Sequence, residues 1–115
     1  MTLVGHLING EKNLDAERQQ DVFNPATGEA TKQVALASQA TVEQAIAAAH
    51  AAYPEWRNTP PAKRAKIMFR FKQLLEENAD KICELIGEEH GKISHDAMGE
   101  LSRGIENVEY ACYAP

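Results

Sequence analysis

The chain has 115 residues and a formal net charge of −5 at pH 7, with 12 lysines and arginines against 17 aspartates and glutamates. That acidic balance argues against a nucleic-acid partner. No run approaches the ~18 consecutive apolar residues of a spanning helix, and MTLVGHLINGEK shows no basic-then-apolar leader, so no membrane association and a cytoplasmic address are expected.

The first third of the chain is punctuated by turn residues. Leu7-Ile8 meets Asn9-Gly10, a dipeptide suited to turns with positive φ. Residues 11–20 are polar and read as a loop or a weakly paired strand. Val22-Phe23 then enters Asn24-Pro25-Ala26-Thr27-Gly28, in which Pro25 presets φ and Gly28 can adopt the left-handed conformation. Residues 31–36 follow as a strand, with Val34 and Leu36 on one face. The pattern predicts a small antiparallel hairpin within residues 1–37 and a helical stretch over 38–115, an α+β chain with about four helices.

Thr41 followed by Gln44 has the form of a capping box. Val42, Ala45, Ile46, Ala49, Tyr53 and Trp56 recur at helical spacing as one apolar stripe. Pro60-Pro61 ends that helix and opens the next, with Pro61 suited to a first helical position. The second helix is expected to pack through Ile67, Met68, Phe71, Leu74 and Leu75, with Phe69 on the opposite side, where it calls for a further buried contact. Asn78 breaks the run. Ile82, Leu85 and Ile86 carry a third helix that stops at Gly91. Ser94 is placed to cap a fourth, whose stripe is Ala97, Leu101, Ile105, Val108 and Cys112.

Little in this pattern carries chemistry. Cys83 and Cys112 form no CxxC pair and read as reduced core residues. His90 and His95 are five apart, not the four that places two metal ligands on one helix face. Glu76-Glu77 and Glu88-Glu89 are sequence neighbours and point about 100° apart on a helix, as a solvated face does. No glycine-rich phosphate loop and no nucleophile elbow occurs. Arg103 is the residue that stands out. It projects nearly opposite the apolar stripe of the fourth helix, with Gly99 one turn before it leaving room for another backbone or a ligand. Against a ligand role, Glu100 and Glu106 are each three residues away and available as surface partners.

Taken in order, Ile8-Asn9-Gly10, Val22-Phe23-Asn24-Pro25-Ala26-Thr27-Gly28-Glu29, Trp56-Arg57, Arg64-Ala65-Lys66-Ile67-Met68-Phe69 and Glu89-His90-Gly91-Lys92 resemble the N-terminal part of NAD(P)-dependent aldehyde dehydrogenases. The final segment, Asp96-Ala97-Met98-Gly99-Glu100 and Arg103-Gly104-Ile105-Glu106-Asn107-Val108-Glu109-Tyr110-Ala111, is similar to the CoA-acylating methylmalonate-semialdehyde dehydrogenases. The resemblance implies the N-terminal flank of an α/β cofactor domain in a homo-oligomeric enzyme. Such an enzyme oxidises methylmalonate or malonate semialdehyde with NAD and delivers propionyl-CoA or acetyl-CoA. It also implies that Arg103 meets the substrate's carboxylate. The family's cofactor loop, catalytic cysteine and oxyanion-hole asparagine lie further along, and Cys83 and Cys112 match neither cysteine position. The 115 residues are therefore expected to be a truncated dehydrogenase, binding neither NAD nor CoA alone and inactive alone. The chain departs from the family pattern at Gly87, His95 and Tyr113. The alternative is a non-catalytic module that docks on a full-length dehydrogenase subunit; a chance match by an unrelated helical adaptor is remote.

Overall fold

The computed structural model describes all 115 residues. It divides into two compact units, Met1–Arg57 and Asn58–Pro115.

The first unit carries five short strands and a long helix. β1 (Thr2–Val4), β4 (Arg18–Phe23) and β5 (Ala30–Leu36) form a three-stranded sheet with β5 in the centre. β1 runs parallel to β5 with Leu3 opposite Gln33, and β4 runs antiparallel to it with Gln20 opposite Val34. The β4–β5 connection is the expected turn. Asn24 Oδ1 accepts the Ala26 N–H at 2.9 Å, the Asn24 carbonyl accepts the Gly28 N–H at 2.8 Å, and Gly28 sits at φ 73°. Val22 faces Lys32 while Phe23 faces Ala30, so Thr31 is an extra residue on β5 and the hairpin carries a bulge.

A second hairpin joins β2 (His6–Ile8) to β3 (Glu11–Asn13). Its two-residue turn has Asn9 at φ 52° and Gly10 at φ 78°, the paired positive values that match strand twist. Residues 11–20 are thus strand at both ends, and β1 adds a parallel pairing that the sequence pattern did not announce.

The helix α1 (Gln39–Asn58) starts earlier than the pattern at Thr41 implied. Ser38 does the capping: its Oγ accepts the Thr41 N–H at 3.2 Å and lies 3.0 Å from the Thr41 hydroxyl. The face that α1 buries also differs from expectation. Thr41 is 4% exposed and Ala45 and Ala48 are half-buried, whereas Val42, Ile46, Tyr53 and Trp56 are exposed. Small side chains at i, i+4 and i+7 admit the close approach of the β2–β3 hairpin, and Leu7, Ile8, Ala45 and Ala48 border one cleft. The larger apolar stripe lies roughly 95° round the helix from that alanine face, at 100° per residue.

The second unit is a three-helix arrangement of α2 (Pro61–Glu77), α3 (Ala79–His90) and α4 (Ser94–Cys112), in which α4 packs on both of the others. Pro61 is the first helical residue of α2, as expected. Asn78 separates α2 from α3, its Nδ2 donating to the Leu74 carbonyl at 2.8 Å. Gly91 closes α3 at φ 77° with its N–H on the Gly87 carbonyl. The core is Cys83, Ala97 and Leu101, with Ala79, Ile82, Ile86 and Ile105 packed against it. The α4 stripe is as the periodicity predicts: Ala97 is 0% exposed and Cys112 2%, the latter with its thiol on the Val108 carbonyl at 3.3 Å.

Two local expectations are corrected in this unit. Ser94 does not cap α4; it is the first helical residue, Ile93 holds the cap position, and no side chain caps that end. On α2 the half-buried positions are Arg64, Ala65, Met68, Lys72 and Leu75, while Ile67, Phe71 and Leu74 are exposed as a second apolar face. Phe69 touches the ring of Tyr113 within the unit and remains 46% exposed, as the sequence pattern implied for the chain alone.

Candidate functional site

The outer face of α4 carries the candidate site. Ala97, Leu101 and Cys112 point into the core, which fixes the rotation of the helix and turns Arg103 to the opposite, solvent side. From there the side chain runs back toward the helix N-terminus, as long side chains on helices do. Its Nη1 lies 3.7 Å from where a Cβ on Gly99 would stand, so Gly99 is the surface beneath the guanidinium. Tyr110, seven residues on, shares this face and is 81% exposed.

Two carboxylates were positioned by sequence to neutralise Arg103, and neither does. Glu100 is taken by Lys92, whose ammonium hydrogen-bonds Glu100 Oε2. Glu106 forms no ion pair with Arg103, whose backbone carbonyl accepts a hydrogen bond from Asn107 Nδ2 at 2.8 Å. The Glu100 carboxyl is held below its ordinary value first by the hydrogen bond from Lys92, then by the Lys92 charge, with smaller contributions from His90 and Arg103 and an opposing one from desolvation. Sequence reading passed over Lys92 because the pair spans the α3–α4 turn. The available signal was a lysine directly after a glycine C-cap, within reach of the second turn of the next helix.

The other candidate groups are not assembled into a site. Cys83 borders a cleft of about 490 Å³ with Asp80, Glu84 and Lys92, and no histidine lines it to serve as base. Cys83 and Cys112 are both free thiols. His90 and His95 belong to no cluster of three metal-ligating side chains. No helix is long and apolar enough to cross a membrane.

The strands and helices, so arranged, are the architecture of the N-terminal region of aldehyde dehydrogenase structures. The model of the aldehyde dehydrogenase family matches residues 13–115, and the chain belongs to that family. A malonate-semialdehyde dehydrogenase from Pseudomonas aeruginosa is 63% identical over 115 residues, covering 100% of this chain and 23% of its own length. The crystal structure of a methylmalonate-semialdehyde dehydrogenase from Oceanimonas doudoroffii superposes with a TM-score of 0.97 at 71% identity, covering 100% of this chain and 24% of that one. A Sinorhizobium meliloti protein assigned to the methylmalonate-semialdehyde dehydrogenases, solved with NAD, superposes with a TM-score of 0.96 at 40% identity, again covering 100% and 24%. The chain thus spans about a quarter of the length of these relatives.

Proposed function

We propose that these residues are the N-terminal flank of the cofactor domain in a cytoplasmic, NAD-dependent, CoA-acylating dehydrogenase for malonate or methylmalonate semialdehyde, and that Arg103 receives the substrate's carboxylate. The observation that carries the reading is a guanidinium free of ion pairs, lying over a glycine, in a chain 63% identical to a malonate-semialdehyde dehydrogenase. Arginine presents a planar fork that holds a carboxylate by two parallel hydrogen bonds, a contact that separates a semialdehyde acid from a plain aldehyde. NAD, when bound, takes up the hydride, and CoA accepts the acyl group; neither task falls to a residue of this stretch. Free buried thiols at Cys83 and Cys112 fit a reducing compartment.

The test is a chimera in which this stretch replaces the corresponding quarter of the Pseudomonas aeruginosa enzyme. Arg103→Met is expected to raise KM for malonate semialdehyde by about tenfold to 100-fold, the scale of a lost charge-assisted hydrogen-bonded pair. Propionaldehyde oxidation is expected to change far less. Equal losses on both aldehydes, or none on either, would refute the assignment of Arg103.

A second reading is favoured by one observation, the exposed apolar face of Ile67, Phe71 and Leu74 on α2. On this reading the 115-residue chain docks on a full-length dehydrogenase subunit without contributing to catalysis. Co-elution with the intact Pseudomonas aeruginosa enzyme, abolished by Phe71→Asp, supports it; separate elution of the two proteins counts against it.

A further inference from the structure

We infer that Lys92 is a positioning residue for Arg103: by holding the Glu100 carboxylate on the inner flank of α4, it leaves the Arg103 guanidinium uncompensated for an acid group of the substrate. The inference rests on the reading of Arg103 as the carboxylate receptor. Glu100 and Arg103 are three residues apart on one helix, a spacing at which opposite charges pair. In this chain they do not. Lys92 emerges from the turn fixed by the left-handed Gly91 and reaches over to Glu100 Oε2. The Lys92 and Glu100 side chains are 27% and 43% exposed, so the pair is only partly screened by water. The Arg103 guanidinium lies over Gly99 instead, with Nη1 3.7 Å from where a Cβ on that glycine would stand.

The charges around Glu100 agree with this division. Lys92 dominates the lowering of its carboxyl and Arg103 contributes least, with His90 between them. Without the ammonium, the nearest remaining cation on α4 is Arg103, and a Glu100 side chain released from Lys92 can swing to it. An Arg103–Glu100 pair would then compete with an incoming carboxylate. The competition has the strength of an exposed ion pair, corresponding to about a two- to fivefold weakening of carboxylate binding.

The chimera described above provides the test, read as the ratio of kcat/KM for malonate semialdehyde to that for propionaldehyde. Lys92→Met is expected to lower the ratio about two- to fivefold, mainly through KM for the semialdehyde acid. Adding Glu100→Gln is expected to restore it, because the competing charge is gone, and Lys92→Arg is expected to preserve it. A purely structural role for Lys92 would depress both substrates together and would not be rescued by Glu100→Gln. An unchanged ratio in Lys92→Met, a failure of Glu100→Gln to rescue, or an equal rescue by Glu106→Gln overturns the inference while leaving Arg103 in place. Loss of selectivity in Arg103→Met is the separate check on the underlying reading. If that variant keeps full selectivity, both fall.

Discussion

The ring of Tyr113 stands edge-on to Phe69, with centroids 5.9 Å apart and planes at 87°. This is the favoured meeting of a positive ring edge with a negative ring face. It ties the residue after α4 to the middle of α2 and gives Phe69 a partner within its own unit. Both rings remain largely accessible, Phe69 at 46% and Tyr113 at 74%, so the contact belongs at the low end of the aromatic-pair range. Tyr113→Ala is expected to cost about 0.5–1 kcal/mol, measured as a shift in urea midpoint. A variant with the wild-type midpoint would show that the rings contribute nothing to stability.

Gly5 offers a test of space rather than of backbone freedom, since its φ is not in the left-handed region. A Cβ there would run into the Asn13 carbonyl oxygen and lie 2.6 Å from Leu14 Cδ2. The leucine can move aside; the carbonyl, which belongs to the end of β3, cannot do so without shifting the strand. Gly5→Ala is therefore expected to cost about 1–3 kcal/mol, as overpacking against fixed atoms does. Faster amide exchange is expected in β2 and β3 than in α4. Uniform exchange throughout the chain would contradict a local clash.

Ser38 is expected to be worth more to α1 than its place before the helix signals. Its hydroxyl satisfies the Thr41 N–H, one of the donors left open at a helix start. Ser38→Ala is expected to destabilise by about 1 kcal/mol, while Ser38→Asp, which keeps an acceptor at the cap and adds charge favourable to the helix dipole, should preserve stability. Circular dichroism melts of the two variants decide the point, and equal melts would remove the cap from the account.

The acid limb of the stability curve should bear the mark of Glu100. Its carboxyl in the folded chain lies below the ordinary 4.5, through the hydrogen bond and charge of Lys92. A group with a depressed folded value contributes stability fully above its unfolded value and loses that contribution as pH falls through the folded one. Stability lost below pH 4.5 on acidification should accordingly be smaller in Glu100→Gln than in the wild type. Lys72 acts with the opposite sign. Its hydrogen bond to Glu76 raises it above 10.5, so its contribution is present below that value and fades as pH rises past the folded one. Urea midpoints from pH 3 to 7 test the first statement; identical acid limbs for wild type and Glu100→Gln would refute it.

What the sequence made legible was local chemistry. Pro61 opens α2, Gly91 closes α3, Asn24 to Gly28 form the β4–β5 turn, and the α4 stripe from Ala97 to Cys112 is buried as its spacing requires. What escaped was non-local or depended on size. The parallel pairing of Thr2 with Lys32 joins residues thirty apart, and no short-range pattern encodes it. On α1 the larger apolar residues marked the wrong face, because the hairpin needs the close approach that Thr41, Ala45 and Ala48 allow. At the candidate site, Arg103 was found from its place opposite the core, but its freedom from Glu100 depends on Lys92, a residue from beyond the helix, and only the folded turn brings the two together.

The exposed stripe on α1 and the second apolar face on α2 bear on the stability of the 115-residue chain itself. Val42, Ile46, Tyr53 and Trp56 are 43% to 63% exposed, and Ile67, Phe71 and Leu74 are 40% to 53% exposed. The buried hydrophobics are small or few: Ala35, Cys83, Ala97, Leu101 and Cys112, with no large side chain below 2% exposure. Surface area gives the same answer. Two compact domains dividing the 12.7 kDa equally would together expose about 7,500 Å², whereas this chain exposes 8637 Å². At about 25 cal/mol per Å² of apolar surface, even half of that excess is comparable with the whole stability of a small domain. The isolated chain is therefore expected to melt broadly, with a midpoint below the ~45–65 °C common among mesophile domains. In the chimera described above, where the remaining three quarters of the relative can cover these faces, the same residues are expected to resist proteolysis to higher temperature. A single sharp transition of the isolated chain above ~65 °C would show that α1 and α2 are stable with their apolar faces in water.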